Sequence, residues 1–195
     1  MAKSVEFLFD FGSPNAYLAY TQLPGIAARA GAALIWTPIL LGGVFKATGN
    51  RSPAEIPAKA AYMRVDGARF VQRYGVPFAR NPHFPVNTLA MMRGAVSYQM
   101  DGDFDGYVKA MFEAMWVAPR NLNQPAELGA ALQAAGFEAE DFMDRIGRQA
   151  VKDKLMANTQ AAVERGVFGA PTMFVGDEIF FGQDRLDFVE AALAG

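Results

Sequence analysis

The sequence predicts an α/β fold whose sheet is interrupted by a long helical insertion. Three observations carry that prediction. A strand, a helix and a second strand open the chain, about a hundred residues of helical periodicity without an obvious strand follow, and a hairpin with one more helix closes it. A length of 195 residues suits one domain, or one domain carrying a large insertion.

Val5 to Phe11 (VEFLFDF) collects aromatic and β-branched residues in a short run ending at Gly12, the profile of a buried strand. Ser13 follows as an N-cap and Pro14 as a first-turn proline, whose missing N–H would have no partner inside a helix. The alanine-rich segment Pro14 to Ala30 carries Tyr17, Leu18 and Leu23 on one face, and Pro24 inside it predicts a kink or break. Gly31 ends the helix, and Ala33 to Ile39 reads as the second strand. Short strands flanking a helix of this length form a βαβ unit with parallel strands.

The period then changes. Helices are expected over Pro57 to Tyr74, Asn87 to Gln99, Phe104 to Val117, Pro125 to Ala135, Asp141 to Gly147 and Arg148 to Arg165. Breakers such as Gly75, Pro77, Pro82, Pro85, Gly102, Pro119 and Gly136 separate them. Pro171 to Val175 and Glu178 to Phe181 are apolar runs around Gly176-Asp177, a two-residue hairpin signal. Gly182-Gln183-Asp184 opens the last helix, with Asp184 as its expected N-cap and Leu186, Val189 and Leu193 as its apolar stripe.

Composition excludes much familiar chemistry. Apolar residues make up 52% and charged residues 19%, which supports a sizeable core and argues against global disorder. Eighteen basic against twenty acidic side chains give a net charge of -2, no general reason to bind nucleic acid or an anionic membrane. With no cysteine there is no disulfide, thiolate metal site or cysteine nucleophile. The single histidine, His83, makes a two-histidine metal motif impossible, and no metal is expected. Glu6 and Asp10 interrupt the start where a secretory signal would be apolar, so a cytoplasmic protein is expected.

Two motifs carry chemistry. In Phe9-Asp10-Phe11-Gly12-Ser13-Pro14-Asn15 a hydroxyl opens a helix, facing unpaired backbone N–H groups and the positive end of the helix dipole, which favours an anion. Alone, this describes an ordinary N-cap equally well. In Val167-Phe168-Gly169-Ala170-Pro171-Thr172 a proline enters a strand; it is either a plain edge proline or a cis-proline whose preceding residue offers its backbone to an extended ligand. His83, flanked by prolines, is an expected loop residue. Ser13 lacks the second glycine of a G-x-S-x-G elbow, which argues against a hydrolase triad. The aromatic set Tyr62, Phe84, Phe112, Trp116 and Phe168 is expected mainly in the helical core.

Taken together, FDFGSP, the helical insertion and the late GAPTMFVG and FFGQDRLDFVE blocks resemble the 2-hydroxychromene-2-carboxylate isomerase family. That family lies in the DsbA-like thioredoxin superfamily, near the kappa-class glutathione transferases, and the resemblance runs from about residue 4 to residue 193. It implies a thioredoxin-like fold of residues 1–41 and 166–195 interrupted by an all-α domain of residues 42–165, with the active site between them. It also implies glutathione as the source of the thiol, because Ser13 and Ala16 stand where redox relatives carry cysteines. Ser13 would activate the thiolate for reversible addition to an aromatic substrate. A hydrogen bond to a charged group is worth roughly 1.5–3 kcal/mol and a helix end roughly 0.3–1 kcal/mol. At about 1.36 kcal/mol per unit, the two would lower a thiol pKa near 8.5 by about two units. By the same resemblance Ala170 and Pro171 hold the cysteinyl part, and Phe181, Gly182, Gln183 and Asp184 the γ-glutamyl end. Lys46, in an expected loop over Gly42 to Lys46, together with Asn50 and Asn87 would meet substrate or the glycyl carboxylate. A homodimer is implied as well. The rival expectations are a kappa-like transferase or peroxidase, and a cysteine-less binding module that takes extended peptides by strand addition.

Overall fold

The computed structural model describes residues 3–195. Its sheet has four strands in the order β2-β1-β3-β4: β1 (Ser4–Phe9), β2 (Ala33–Pro38), β3 (Thr172–Val175) and β4 (Glu178–Phe181). β1 and β2 are parallel, as the opening βαβ pattern requires, with Phe7 opposite Trp36. β3 runs antiparallel to β1 and turns through Gly176-Asp177 into β4, which pairs Thr172 with Phe181. All helices other than α1 (Pro14–Ala30) and the last, α9 (Leu186–Ala194), fall between β2 and β3. They are α2 (Leu41–Thr48), α3 (Pro57–Tyr74), α4 (Leu89–Asp101), α5 (Phe104–Trp116), α6 (Pro125–Ala134), α7 (Ala139–Gly147) and α8 (Gln149–Glu164). No described helix is long and apolar enough to cross a membrane.

The two-residue period of β1 builds two cores. Val5, Phe7 and Phe9 face a large cluster with α1, α4, α5 and α9, in which Phe9, Phe11 and Phe112 pack edge to face or tilted at centroid distances of 4.9–5.8 Å. Leu8 faces the other way, onto a smaller cluster of Ile39, Val44, Ala162, Val167, Ala170 and Phe174. That smaller cluster fastens α2 and α8 to the sheet and seats the chain just before Pro171.

Four expectations change. β1 stops at Phe9 rather than Phe11, because the Asp10 carboxylate draws the chain into a turn and the Phe11 carbonyl accepts the Trp116 indole N–H at 2.8 Å. α1 runs unbroken through Pro24, whose ring lies on the solvent side, while Leu23, Ile26 and Ala27 keep the buried face. Residues expected as a loop, Gly42 to Lys46, form α2 despite two glycines that disfavour helix. Tertiary contacts override that preference: Val44 is fully buried, Asp10 accepts the Leu41 N–H at 2.8 Å, and Thr159 Oγ1 accepts the Leu40 N–H at 2.9 Å. Lastly, Asp184 is not the cap of α9. Arg185 stands there without a side-chain cap bond, after a 3₁₀ turn over Gln183–Arg185. Of the aromatic set, Phe112 and Trp116 are core, whereas Tyr62 and Phe168 are exposed.

Gly94 in α4 marks a close contact with α5 and α7. A Cβ there would strike the Tyr107 ring and come within 2.8 Å of Phe142, and Tyr107 is tethered by its O–H bond to the Met91 carbonyl. Gly94→Ala therefore gains helix propensity yet should destabilise the fold by roughly 1–3 kcal/mol through overpacking. Urea denaturation measures this; an unchanged or raised midpoint refutes the packing argument.

Candidate active site

Ser13 sits where β1 hands over to α1, and its hydroxyl is committed on both sides. Oγ accepts the Ala16 N–H at 3.1 Å, the N-cap bond, and donates to the Ala170 carbonyl at 2.8 Å. The Ala170–Pro171 peptide is cis, so the sharper of the two expectations for that proline holds. The Phe84–Pro85 peptide is also cis, which the sequence reading missed. Ser13 and Ala170 are 6% and 9% exposed, so their contact is nearly sealed from water. Among the described residues the Ala170 N–H has no acceptor, while the Pro171 carbonyl takes the Gly182 N–H at 3.0 Å.

Around this pair the other candidates divide. Asn50, just beyond α2, donates from Nδ2 to the Phe168 carbonyl at 2.8 Å, which brings the α2 side of the site onto the loop of Pro171. Phe168 and Phe181 pack beside that loop with rings tilted at 48° and centroids 4.5 Å apart, both about two-fifths exposed (42% each). Gly182 has φ 97°, and a Cβ on it would meet Asp184 Oδ1 at 2.5 Å, so only glycine lets the chain turn here. Asp184 is exposed and pairs with Arg185 at 2.8 Å; released from capping, its carboxylate faces solvent beside Gly182. Gln183 is the candidate least available to a ligand. It is buried, and its side-chain oxygen and backbone carbonyl both accept the Tyr74 O–H, at 2.8 and 3.0 Å.

Lys46 is exposed on the last turn of α2, a favourable place for a cation, with no acidic partner among the described residues. Asn87 precedes Thr88, the N-cap of α4; its side-chain oxygen accepts the Leu89 N–H at 3.1 Å, and its own backbone N–H donates to Asn123 Oδ1 at 2.9 Å. His83 is an exposed loop residue, and Ser13 has no histidine partner. A groove of about 640 Å³ over α2, α4 and α8 includes Leu40 and Gly43 but neither Ser13 nor Ala170.

Residues 4–194 match the DSBA-like thioredoxin domain family. A protein of Sphingobium xenophagum named 2-hydroxychromene-2-carboxylate isomerase is 34% identical, over 99% of both chains. The solved structure of such an isomerase superposes with a TM-score of 0.81 at 34% identity, covering 97% of this chain and 93% of that one. This chain belongs to the 2-hydroxychromene-2-carboxylate isomerase family, within the DsbA-like thioredoxin superfamily. Glutathione S-transferase kappa 1 of Rattus norvegicus is a more distant relative, 26% identical over 95% of this chain and 88% of its own.

In this member of the family the residue that sequence reasoning missed is Asp10. It is 1% exposed, and its carboxylate accepts the Gly12 N–H at 2.8 Å, the Leu41 N–H at 2.8 Å and the Thr88 hydroxyl at 3.1 Å. The turn carrying Ser13, the start of α2 and the N-cap of α4 thus meet on one side chain. The available signal was a charged residue inside an otherwise aromatic run. Burial pushes its pKa above the ordinary carboxylate value, and the bonds from Leu41, Gly12 and Thr88 offset that only in part.

Asp10→Ala should leave the donors of Gly12 and Leu41 unpaired and cost roughly 1–3 kcal/mol of stability. The folded chain holds the Asp10 proton more tightly than the unfolded chain. Its contribution is therefore fullest in acid and declines as pH rises from the ordinary carboxylate range through the raised value. Stability curves of wild type and Asp10→Ala, taken by denaturation across that range, should converge as pH rises. A gap that widens with pH contradicts the assignment.

Proposed function

We propose that this protein is a glutathione-dependent cis–trans isomerase of the 2-hydroxychromene-2-carboxylate type, acting on an aromatic substrate. The observation that carries the proposal is the Ser13 hydroxyl at the N-terminus of α1, hydrogen-bonded to the carbonyl preceding cis-Pro171. The relatives named as isomerases support the isomerase class, and the kappa-class glutathione transferase relatives support the use of glutathione.

The residues present fit a thiol tripeptide. The chain has no cysteine, so a sulfur nucleophile has to come from a bound molecule. The unpaired Ala170 N–H suits an extended ligand backbone, and the uncapped Asp184 suits an ammonium group beside Gly182. Lys46 and Asn50 suit a carboxylate at the opposite end. Glutathione, when bound, supplies a thiolate that adds reversibly to an electrophilic carbon. Ser13 holds a proton donor toward the sulfur, the end of α1 favours its negative charge, and Ala170 fixes the ligand backbone. Phe181 and Phe168 wall the site with apolar surface, and Gln183, held by Tyr74, shapes the turn that presents Asp184. Asn87 stands with Thr88 at the head of α4, on the Asp10 side, as a substrate contact.

Ser13→Ala should keep the fold and lower turnover about a hundredfold, the loss expected for a positioned catalytic group. Spectrophotometric assay with glutathione and an aromatic hydroxychromene or arylidene-pyruvate substrate reads this out; full activity in the variant would remove Ser13 from the reaction. A kappa-like transferase using the same site would release a conjugate, whereas the isomerase returns glutathione unchanged. Asp184→Asn should weaken glutathione binding about tenfold, the scale of one charge-assisted hydrogen bond, as read by calorimetric titration. An unchanged dissociation constant takes Asp184 out of the site.

A further inference from the structure

The Ser13 hydroxyl has one proton, and in the structure that proton is already given to Ala170. Oγ lies 2.8 Å from the Ala170 carbonyl and 3.1 Å from the Ala16 N–H, so its donor and one acceptor position are both in use. Both residues are nearly sealed from water, at 6% and 9% exposure. A proton turned toward a sulfur would leave the Ala170 carbonyl without a donor in a place water reaches poorly. Buried carbonyls are rarely left in that state.

We propose that the Ser13–Ala170 bond is a ligand-exchanged latch. A thiol ligand releases the Ser13 hydroxyl by bringing its own N–H to the Ala170 carbonyl. The inference rests on the glutathione reading above and deepens it by naming the ligand feature that the site demands. Ser13 Oγ and the Ala170 oxygen are one hydrogen bond apart, so the incoming donor must lie within a few bonds of the sulfur. The cysteinyl N–H, separated from sulfur by two carbons, meets that condition. The unpaired Ala170 N–H gives the same ligand backbone a second attachment. Simple thiols such as ethanethiol carry no hydrogen-bond donor beside the sulfur, so they would not free the hydroxyl. The latch thus selects a peptide-linked thiol independently of the γ-glutamyl contacts at Asp184.

The latch predicts effects of opposite sign for two ligands, measured as equilibrium binding by calorimetry. S-methylglutathione brings the N–H but offers only a weak sulfur acceptor, so wild type loses the Ser13 bond and regains little. Ser13→Ala has no such bond to lose, and should bind S-methylglutathione about tenfold more tightly than wild type, the worth of roughly one net hydrogen bond. Reduced glutathione should bind Ser13→Ala more weakly, because the thiolate loses its donor. A second arm replaces the γ-glutamyl–cysteinyl amide of S-methylglutathione by an ester, which removes the N–H. The amide-to-ester affinity ratio should be about tenfold larger in Ser13→Ala than in wild type. The amide-to-ester ratio is taken within one protein, so a partly unfolded variant does not disturb it.

Equal S-methylglutathione affinity in the two proteins, with an unchanged amide-to-ester ratio, would overturn the latch while leaving the glutathione reading standing. The carbonyl would then accept both donors at once. Failure of wild type to bind either form at millimolar concentration would overturn the glutathione reading itself, and the latch with it.

Discussion

A carboxylate held by backbone and hydroxyl donors organises the Ser13 end of this molecule. Asp10 is buried at the end of β1, and three donors from separate parts of the chain compensate its charge. Two of those donors, Leu41 and Thr88, stand at the starts of α2 and α4, where the helix dipole adds a favourable field. Burial still raises the Asp10 pKa, so the desolvation is not fully recovered. The fold retains a locally unfavourable group because it couples the Ser13 turn to helices remote in sequence. Without that coupling, the Ser13 turn would keep its N-cap bond, its contact with Ala170 and the Trp116 bond to the Phe11 carbonyl, but lose its tie to the starts of α2 and α4.

The absence of cysteine gives the Ser13 site its character. A thioredoxin-like scaffold concentrates unpaired N–H groups and a helix end at one point, which stabilises a thiolate. Serine at that point offers a donor but is a far weaker nucleophile than a thiolate, so on the proposed reading the sulfur comes from a bound ligand. If ligand backbone binds at Ala170 and sulfur at Ser13, as proposed, their mutual hydrogen bond is the element on which binding and activation meet. The smaller core supports this arrangement from below: Ala170 packs with Leu8, Val44 and Val167, so the carbonyl is anchored to the same sheet as Ser13.

Much was legible in the sequence because local periodicity and punctuation report directly on backbone preference. The parallel β1–α1–β2 unit, the hairpin at Gly176-Asp177, and the separate helices between Pro57 and Arg165 follow from two- and 3.6-residue periods with glycine and proline between them. Ser13 as an N-cap was legible too, whereas for Pro171 the sequence left a plain edge proline and a cis-proline both open. What escaped was whatever long-range contacts decide. α2 has two glycines and no capping residue of its own, and it forms because Asp10 and Thr159 receive its first N–H groups while Val44 is buried. Asp184 looked like a cap, yet the 3₁₀ turn places Arg185 at that position and frees the carboxylate.

The sequence by itself determined the strand and helix order and the lack of a cysteine nucleophile, because both follow from residue types and their spacing, while the thioredoxin-like class was implied by the resemblance of its motifs to a known family. Only the tertiary structure decided that Ser13 gives its proton to Ala170, 157 residues away, that Gln183 is held by Tyr74, and that Asp10 gathers three segments. Those are hydrogen bonds between groups remote in the chain, and a directional bond of about 3 Å depends on packing that no local pattern encodes.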